Sequence, residues 1–291
     1  MLRKLATTGR LMHTTAHPDD EDGGMLALYS RGHGASVMLM TLTRGEGGQN
    51  KTGPELFDAL GILRTLELLA SDSYYGVEQR FSRVADFGFS KNSDETFNKW
   101  QGKDVALADM VRAIREFRPD VLVARFQGSS RDGHGHHQAA GAITPEAFKA
   151  AADPNRFPDQ IREGLVPWQV KKLYADNVRA NEEYTLRLDT GAYDALLGRS
   201  YSQLAVEGLS HQLSQGSGGS RIPAGHRYSY YRLLQSVVGY PAKDAKEATF
   251  FDRIDNSLQG LAARAGEHSI APVLRQHLVE LDGLVKEATA G

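Results

Sequence analysis

Twice in its first half, this chain runs through an apolar stretch of strand length, stops in a knot of polar and charged residues, and resumes in a helical pattern. Leu11-Met12-His13-Thr14-Thr15-Ala16 ends in His17-Pro18-Asp19-Asp20-Glu21-Asp22, and a helical pattern starts at Gly23-Gly24-Met25-Leu26. Pro119 to Phe126 ends in Asp132-Gly133-His134-Gly135-His136-His137-Gln138, followed by an Ala-rich helical stretch. Between them lie a strand-like 35–43, a helical 54–70, a strand near 74–78 and a helical 104–117. Strands alternating with helices predict a mostly parallel sheet covered on both faces. In such sheets ligands bind at the carboxyl edge, where both knots fall.

The first knot packs one imidazole and four carboxylates into six residues. A helix N-terminus favours acids, but a cap does not need the His-Pro before it. The second knot has three His within four residues on a Gly-rich turn. The chain has no Cys, which excludes thiolate sites, and imidazole with carboxylate suits zinc, Fe2+ or another divalent transition ion. The residues alone leave open which acids, and which of His136 and His137, serve an ion. His13, inside the first strand, reads as a packed histidine. The polar loop Thr43-Arg44-Gly45-Glu46-Gly47-Gly48-Gln49-Asn50 lies at the same edge and matches neither the dinucleotide fingerprint nor a P-loop. It reads as a wall of the substrate site, with Glu46 as a substrate contact.

The charge balance excludes some partners. Lys and Arg (34) and Asp and Glu (36) are interspersed at a net charge of -2, which gives no basic surface for nucleic acid. No run approaches the roughly 18 apolar residues of a membrane span. Residues 1–6 are basic without an apolar h-region, so no signal peptide is expected in this chain, and its location, cytoplasmic or exported, stays open. Farther along, the chain reads as turn-rich at 154–167, a strand at 170–175, helical at 191–212, a Gly/Ser surface loop at 215–220, and helices at 250–262 and 270–287. The expectation is one domain over 1–291, with a core of about 8–215 and 216–291 as a C-terminal helical extension.

His17-Pro18-Asp19-Asp20-Glu21 together with His134-x-x-His137-x-Ala139-x-Gly141 resembles the paired motifs of the PIG-L/LmbE family of metal-dependent de-N-acetylases. That family includes N-acetylglucosaminyl-phosphatidylinositol deacetylases and the deacetylases of mycothiol and bacillithiol biosynthesis. The resemblance runs over residues 8–215. It departs from the family between the two His, where Gly135-His136 replaces the usual Pro-Asp, and the register with Ala139 and Gly141 favours His137 as the ligand.

The resemblance implies a Rossmann-like three-layer α/β fold and a zinc hydrolase that removes acetyl from an N-acetylated amino sugar or glycoconjugate. It implies His17, Asp20 and His137 as metal ligands, Asp19 as general base, and His134 as the residue that stabilises the oxyanion or protonates. It further implies that Arg64, with Glu67 after it, and Asp86, in Asp86-Phe87-Gly88, hold the sugar. His211 is expected as another substrate contact, Asp132 as the support of the His134 tautomer and Asp22 as an outer partner of the site. Two alternatives stand beside this reading. Two His and one carboxylate also serve non-haem Fe(II) oxygenases, which usually show a jelly-roll β pattern. A sugar-binding relative without catalysis is the other.

Overall fold

The computed structural model describes residues 2–264, 266, 269 and 271–290, so Met1, Ala265, Glu267, His268, Ile270 and Gly291 of the ranges above lie outside them. The strands are β1 (Arg10–Thr15), β2 (Ser36–Thr41), β3 (Glu78–Phe81), β4 (Val121–Ala124), β5 (Lys172–Ala175), β6 (Leu186–Asp189), β7 (Tyr193–Asp194), β8 (Arg199–Ser200) and β9 (Tyr228–Ser236). The α-helices are α1 (Leu2–Leu5), α2 (Gly23–Ala27), α3 (Asp58–Tyr75), α4 (Ser93–Lys99), α5 (Asp104–Phe117), α6 (Gly135–Ala150), α7 (Pro158–Arg162), α8 (Tyr201–Leu209), α9 (Leu258–Arg264) and α10 (Ala271–Ala290).

Seven strands form one sheet in the order β3-β2-β1-β4-β5-β9-β6. The first five are mutually parallel, and β9 is antiparallel to both its neighbours. The strand order reverses between β1 and β4, which pair in register from Leu11 opposite Val121 to Thr14 opposite Ala124. This is the crevice where open α/β sheets bind ligands. Alternate residues of each strand feed two separate cores. Met12, Met38, Met40, Leu122 and Leu173 pack with α5 and α6, while Leu11, Val37, Leu39, Val123 and Tyr174 pack with α2, α3 and α8. Burial on both faces is why β1, β2 and β4 read as nearly unbroken apolar runs.

Several boundaries differ from the sequence reading. The strand expected near 74–78 begins at Glu78, because Tyr74 and Tyr75 complete α3, which Gly76 closes in the left-handed region at φ 78°. Tyr75 is buried on the apolar stripe of that helix, so its aromatic β-propensity yields to tertiary packing. Residues 193–200 form a two-stranded ribbon before α8 rather than the start of its helix. The extension after residue 215 is not purely helical, since β9 enters the main sheet between β5 and β6. Most of its residues are half-buried, so it lacks the clean alternation that marks a strand in sequence.

α6 carries the second knot, and its seat depends on a close backbone approach. A Cβ added at Gly141 would stand 2.1 Å from the backbone nitrogen of Gly128. Gly141→Ala is therefore expected to lower stability by about 1–3 kcal/mol, as overpacking typically does. Chemical denaturation should show a reduced midpoint at unchanged slope.

Candidate metal centre

The turn after β1 is tied down by its own acids. Asp20 Oδ2 accepts the backbone N–H groups of Ala16 (3.1 Å) and His17 (2.7 Å). Asp19 has φ 94°, a left-handed value that Asp tolerates better than most side chains, and its N–H donates to Glu21 Oε2 at 3.0 Å. Glu21 Oε1 accepts from Tyr75 Oη (3.2 Å) and Gln212 Nε2 (3.0 Å). Asp22 caps α2 by accepting from Met25 N at 3.0 Å, and it also accepts from Tyr231 Oη at 2.7 Å. Its own N–H donates to His13 Nε2 (3.3 Å), while His13 Nδ1 lies 2.9 Å from the Val123 carbonyl, so His13 is packed within the sheet.

The turn after β4 is organised by Asp132, in a different manner from that expected. Its carboxylate accepts the N–H groups of Gln127, Gly128 (2.7 Å) and Ser129 (3.0 Å) and does not reach His134. Three loop donors converge on it, and its backbone carbonyl instead receives His137 Nδ1 at 3.0 Å. His134 is the N-cap of α6: its Nδ1 accepts from His136 N at 3.1 Å, which places the ring proton on Nε2. His136 and His137 occupy the first turn of that helix. His137 stacks on Phe126 at 4.1 Å between ring centres, and His136, fully buried, packs between Phe87 and Trp100.

Parallel pairing of β1 with β4 brings the two turns face to face. His17 Nδ1 is 3.2 Å from His137 Nε2, His137 Nε2 is 3.3 Å from Asp20 Oδ1, and His17 Nδ1 is 3.5 Å from Asp20 Oδ2. Nitrogen and oxygen donors held at zinc distances around a tetrahedral ion stand about 3.3–3.5 Å apart. With its Nδ1 proton given to the Asp132 carbonyl, His137 keeps a free Nε2 lone pair, the outer-partner pattern of metal-binding histidines. The donor set of His17, Asp20 and His137 thus fits a divalent transition ion.

The electrostatics agree with that fit. Against the cost of burial, bonds to His137 and His17 hold the Asp20 carboxyl well below its ordinary range, and the bond to Asp20 raises His137. Asp19 is one-third exposed at the mouth, yet desolvation and the adjacent Asp20 charge push its carboxyl above the usual range. Burial, with His17 and His137 nearby, pushes His134 down to about 4. Burial, with His17, His134 and His137 nearby, takes His136 down to about 2.

The remaining expected contacts fall into two groups. Arg64 reaches the site, but as a clamp: its guanidinium donates to the carbonyls of Pro18 (2.6 Å) and Gly45 (3.3 Å) and to Asp19 Oδ1 (3.3 Å), and it is 3% exposed. A Cβ at Gly45 would sit 2.2 Å from Arg64 Nη1, so this loop glycine makes room for that cation. Glu46 Oε2 accepts the N–H groups of Arg44 (3.0 Å) and Asp86 (3.1 Å), which staples the loop to the Asp86 turn. Asp86, 4% exposed, places Oδ2 3.8 Å from His17 Nε2, behind that imidazole.

His211 turns away from this group. Its ring packs on Tyr74 at 4.9 Å, about 15 Å along α3 from Arg64 at 1.5 Å per residue. Its neighbours make the useful contacts: Gln212 bonds Glu21, and Ser214 donates to Glu67 through N (2.8 Å) and Oγ (2.5 Å). Sequence reasoning missed the contacts of these two and of Phe126, and it weighed Tyr75 as a sugar-stacking or core aromatic, whereas Tyr75 is buried and bonds Glu21. Phe126, last residue of an apolar run that leads into the His turn, was the one with a visible signal.

The comparisons with known proteins are consistent with this geometry. The family model PIG-L, described as GlcNAc-PI de-N-acetylase, matches residues 12–148. A 1D-myo-inositol 2-acetamido-2-deoxy-alpha-D-glucopyranoside deacetylase 1 of Frankia alni is 30% identical over 280 residues, covering 88% of this chain and 91% of that protein. The deacetylase 2 of the same description from Frankia casuarinae is 38% identical over 187 residues, and there the match spans 57% of this chain and 57% of the relative's length. Among solved structures, the N,N'-diacetylchitobiose deacetylase of Pyrococcus horikoshii aligns with a TM-score of 0.55 at 17% identity, covering 75% of this chain and 83% of that one. A 4-carboxy-2-hydroxymuconate hydratase of Pseudomonas putida aligns with a TM-score of 0.51 at 16% identity, covering 80% and 99%. At such identities the likeness is one of fold.

Beneath Glu21, Asp72 of α3 is buried with neither carboxylate oxygen bonded among the described residues. Desolvation, then the Glu21 charge, pushes its carboxyl up to about 8. The folded state therefore holds a proton that the unfolded chain releases near its ordinary value, so this group makes stability fall as pH rises from about 4 through about 8. Melting curves across that window should show the decline, and Asp72→Asn should flatten it.

Proposed function

The chain belongs to the PIG-L family, and from that membership we propose that it is a zinc-dependent hydrolase that removes acetyl from an N-acetylated amino sugar or its glycoconjugate. One observation carries this reading: His17 Nδ1 and His137 Nε2 stand 3.2 Å apart, each within 3.3–3.5 Å of one Asp20 carboxylate oxygen, and the Asp19 carboxyl lies within reach of all three charges. When bound there, a divalent ion supplies Lewis-acid polarisation and a water acidified toward neutral pH. The names of the relatives, deacetylases of a glucosamine-type sugar joined to inositol, support a sugar acetamide as substrate.

The chain's own residues then divide the work. Asp19 diverges from its neighbour Asp20, and its raised pKa suits it to take a proton from the attacking water and return it to the leaving amine. Arg64 fixes Asp19 by holding both its carboxylate and the carbonyl before it. His134 acts as a neutral donor, since its Nδ1 is occupied and Nε2–H remains for the developing oxyanion. Asp86 backs His17 at 3.8 Å without a hydrogen bond, and exposed Phe89 beside His134 offers an apolar edge to the substrate. The α/β architecture speaks against the jelly-roll oxygenases.

Asp19→Ala is expected to retain zinc and lower kcat by about 10²–10⁴, the usual worth of a general base. His134→Ala should cost about 10²–10³ in kcat, as loss of one oxyanion donor does. Both are read from acetate release on a panel of N-acetylglucosamine, chito-oligomers and inositol glycosides. Chelation should abolish release and zinc restore it. Near-normal turnover by Asp19→Ala would remove its assigned role, and tight binding without turnover by the unaltered chain would identify a sugar-binding protein instead.

A further inference from the structure

A second set of imidazoles converges beside the first centre: one ring nitrogen each of His17, His134 and His136 lies within 4.8 Å of the others. His136 has no part in the chemistry above, and its side chain is fully buried. Its Nδ1 stands 3.2 Å from His134 Nδ1, and its Nε2 stands 4.0 Å from Asp86 Oδ1, too far for a hydrogen bond. Nε2 has no hydrogen-bond partner among the described residues.

A neutral imidazole carries one N–H and one lone pair. With the proton of His136 on Nδ1, the bare Nε2 faces a carboxylate. With it on Nε2, the Nδ1 lone pair faces that of His134, which already accepts the His136 backbone N–H. Either neutral tautomer sets acceptor against acceptor in a buried place. A cation held between the Nδ1 atoms of His136 and His134 relieves the conflict: the proton of His136 then sits on Nε2, on the Asp86 side, His134 keeps its proton on Nε2, and its Nδ1 exchanges the His136 backbone N–H for the ion.

We propose that His17, His134 and His136 form a second divalent transition-ion position, distinct from the first and sharing His17 with it. Imidazole donors favour zinc, copper or nickel over magnesium or calcium. His17 turns Nδ1 toward Asp20 and His137, and Nε2 toward Asp86. An imidazole with an ion on each nitrogen must surrender its last proton, so the second position fills beside the first only at excess metal. An ion in the second position also occupies His134, so excess metal is antagonistic to the reaction rather than neutral. The inference concerns ion binding and stands whether or not the chain deacetylates.

Cobalt(II) titrated into the full chain, followed by calorimetry and visible absorption, tests it. His137→Ala breaks only the first position and His136→Ala only the second, so each variant is expected to keep one Co2+. The double variant should bind about 100-fold more weakly or worse. If His137→Ala alone loses cobalt as completely as the double variant, the second position does not exist. Thermal melts of the ion-free variants check folding. Should a variant not fold, anomalous scattering from the unaltered protein crystallised with saturating cobalt replaces it: a peak among His17, His134 and His136 supports the position, and none there overturns it.

Discussion

The site rests on four rungs of parallel pairing between β1 and β4, Leu11 with Val121 through Thr14 with Ala124. Neither strand is adjacent to the other in sequence, and no local preference brings residue 17 near residue 137. The ladder does so because the strand order reverses there, leaving a crevice at the carboxyl ends that no crossover helix covers. Register matters as much as pairing. A slip of one residue would turn His13 and Thr14 to opposite faces and carry the two turns out of step. The two separate cores, each fed by alternate strand residues, hold that register.

Charge is the second constraint. Asp19, Asp20, Glu21, Asp72 and Asp86 gather around the crevice, and Arg64 bonds only one of them. Buried carboxylates in such excess either take up protons or gather a cation. The structure divides them between these solutions. Glu21, pushed up to about 7, and Asp72, at about 8, lie on the inner side, where protons serve. Asp20, almost as buried as Glu21, has its charge kept by imidazoles. The same fold thus separates acids that look equivalent in sequence by the partners it gives each buried carboxyl.

What sequence could reveal followed from local causes. The apolar runs of β1, β2 and β4, the helix at 104–117 and the placement of both knots at strand ends were legible, because periodicity and turn chemistry are properties of neighbouring residues. The roles of Arg64 and Asp132 were not, since both depend on which backbone groups the fold delivers to them. β9 escaped because a strand wedged between two others near a sheet edge need not alternate. His211 drew attention as an imidazole, whereas the quieter Gln212 beside it reaches Glu21. Chemistry-bearing residue types overstate themselves in sequence when their orientation is set by tertiary contacts.

The left-handed backbone at Asp19 has an evolutionary edge. Glycine, asparagine and aspartate enter that region at little cost, while other side chains are penalised there. Of the three, one alone carries a carboxylate. Drift at this position therefore has no gradual path: the chain either keeps its proton acceptor or loses it in a single step while the turn itself survives. A copy released from its task would keep its shape, its ligand set and its stability, and fall silent through one codon.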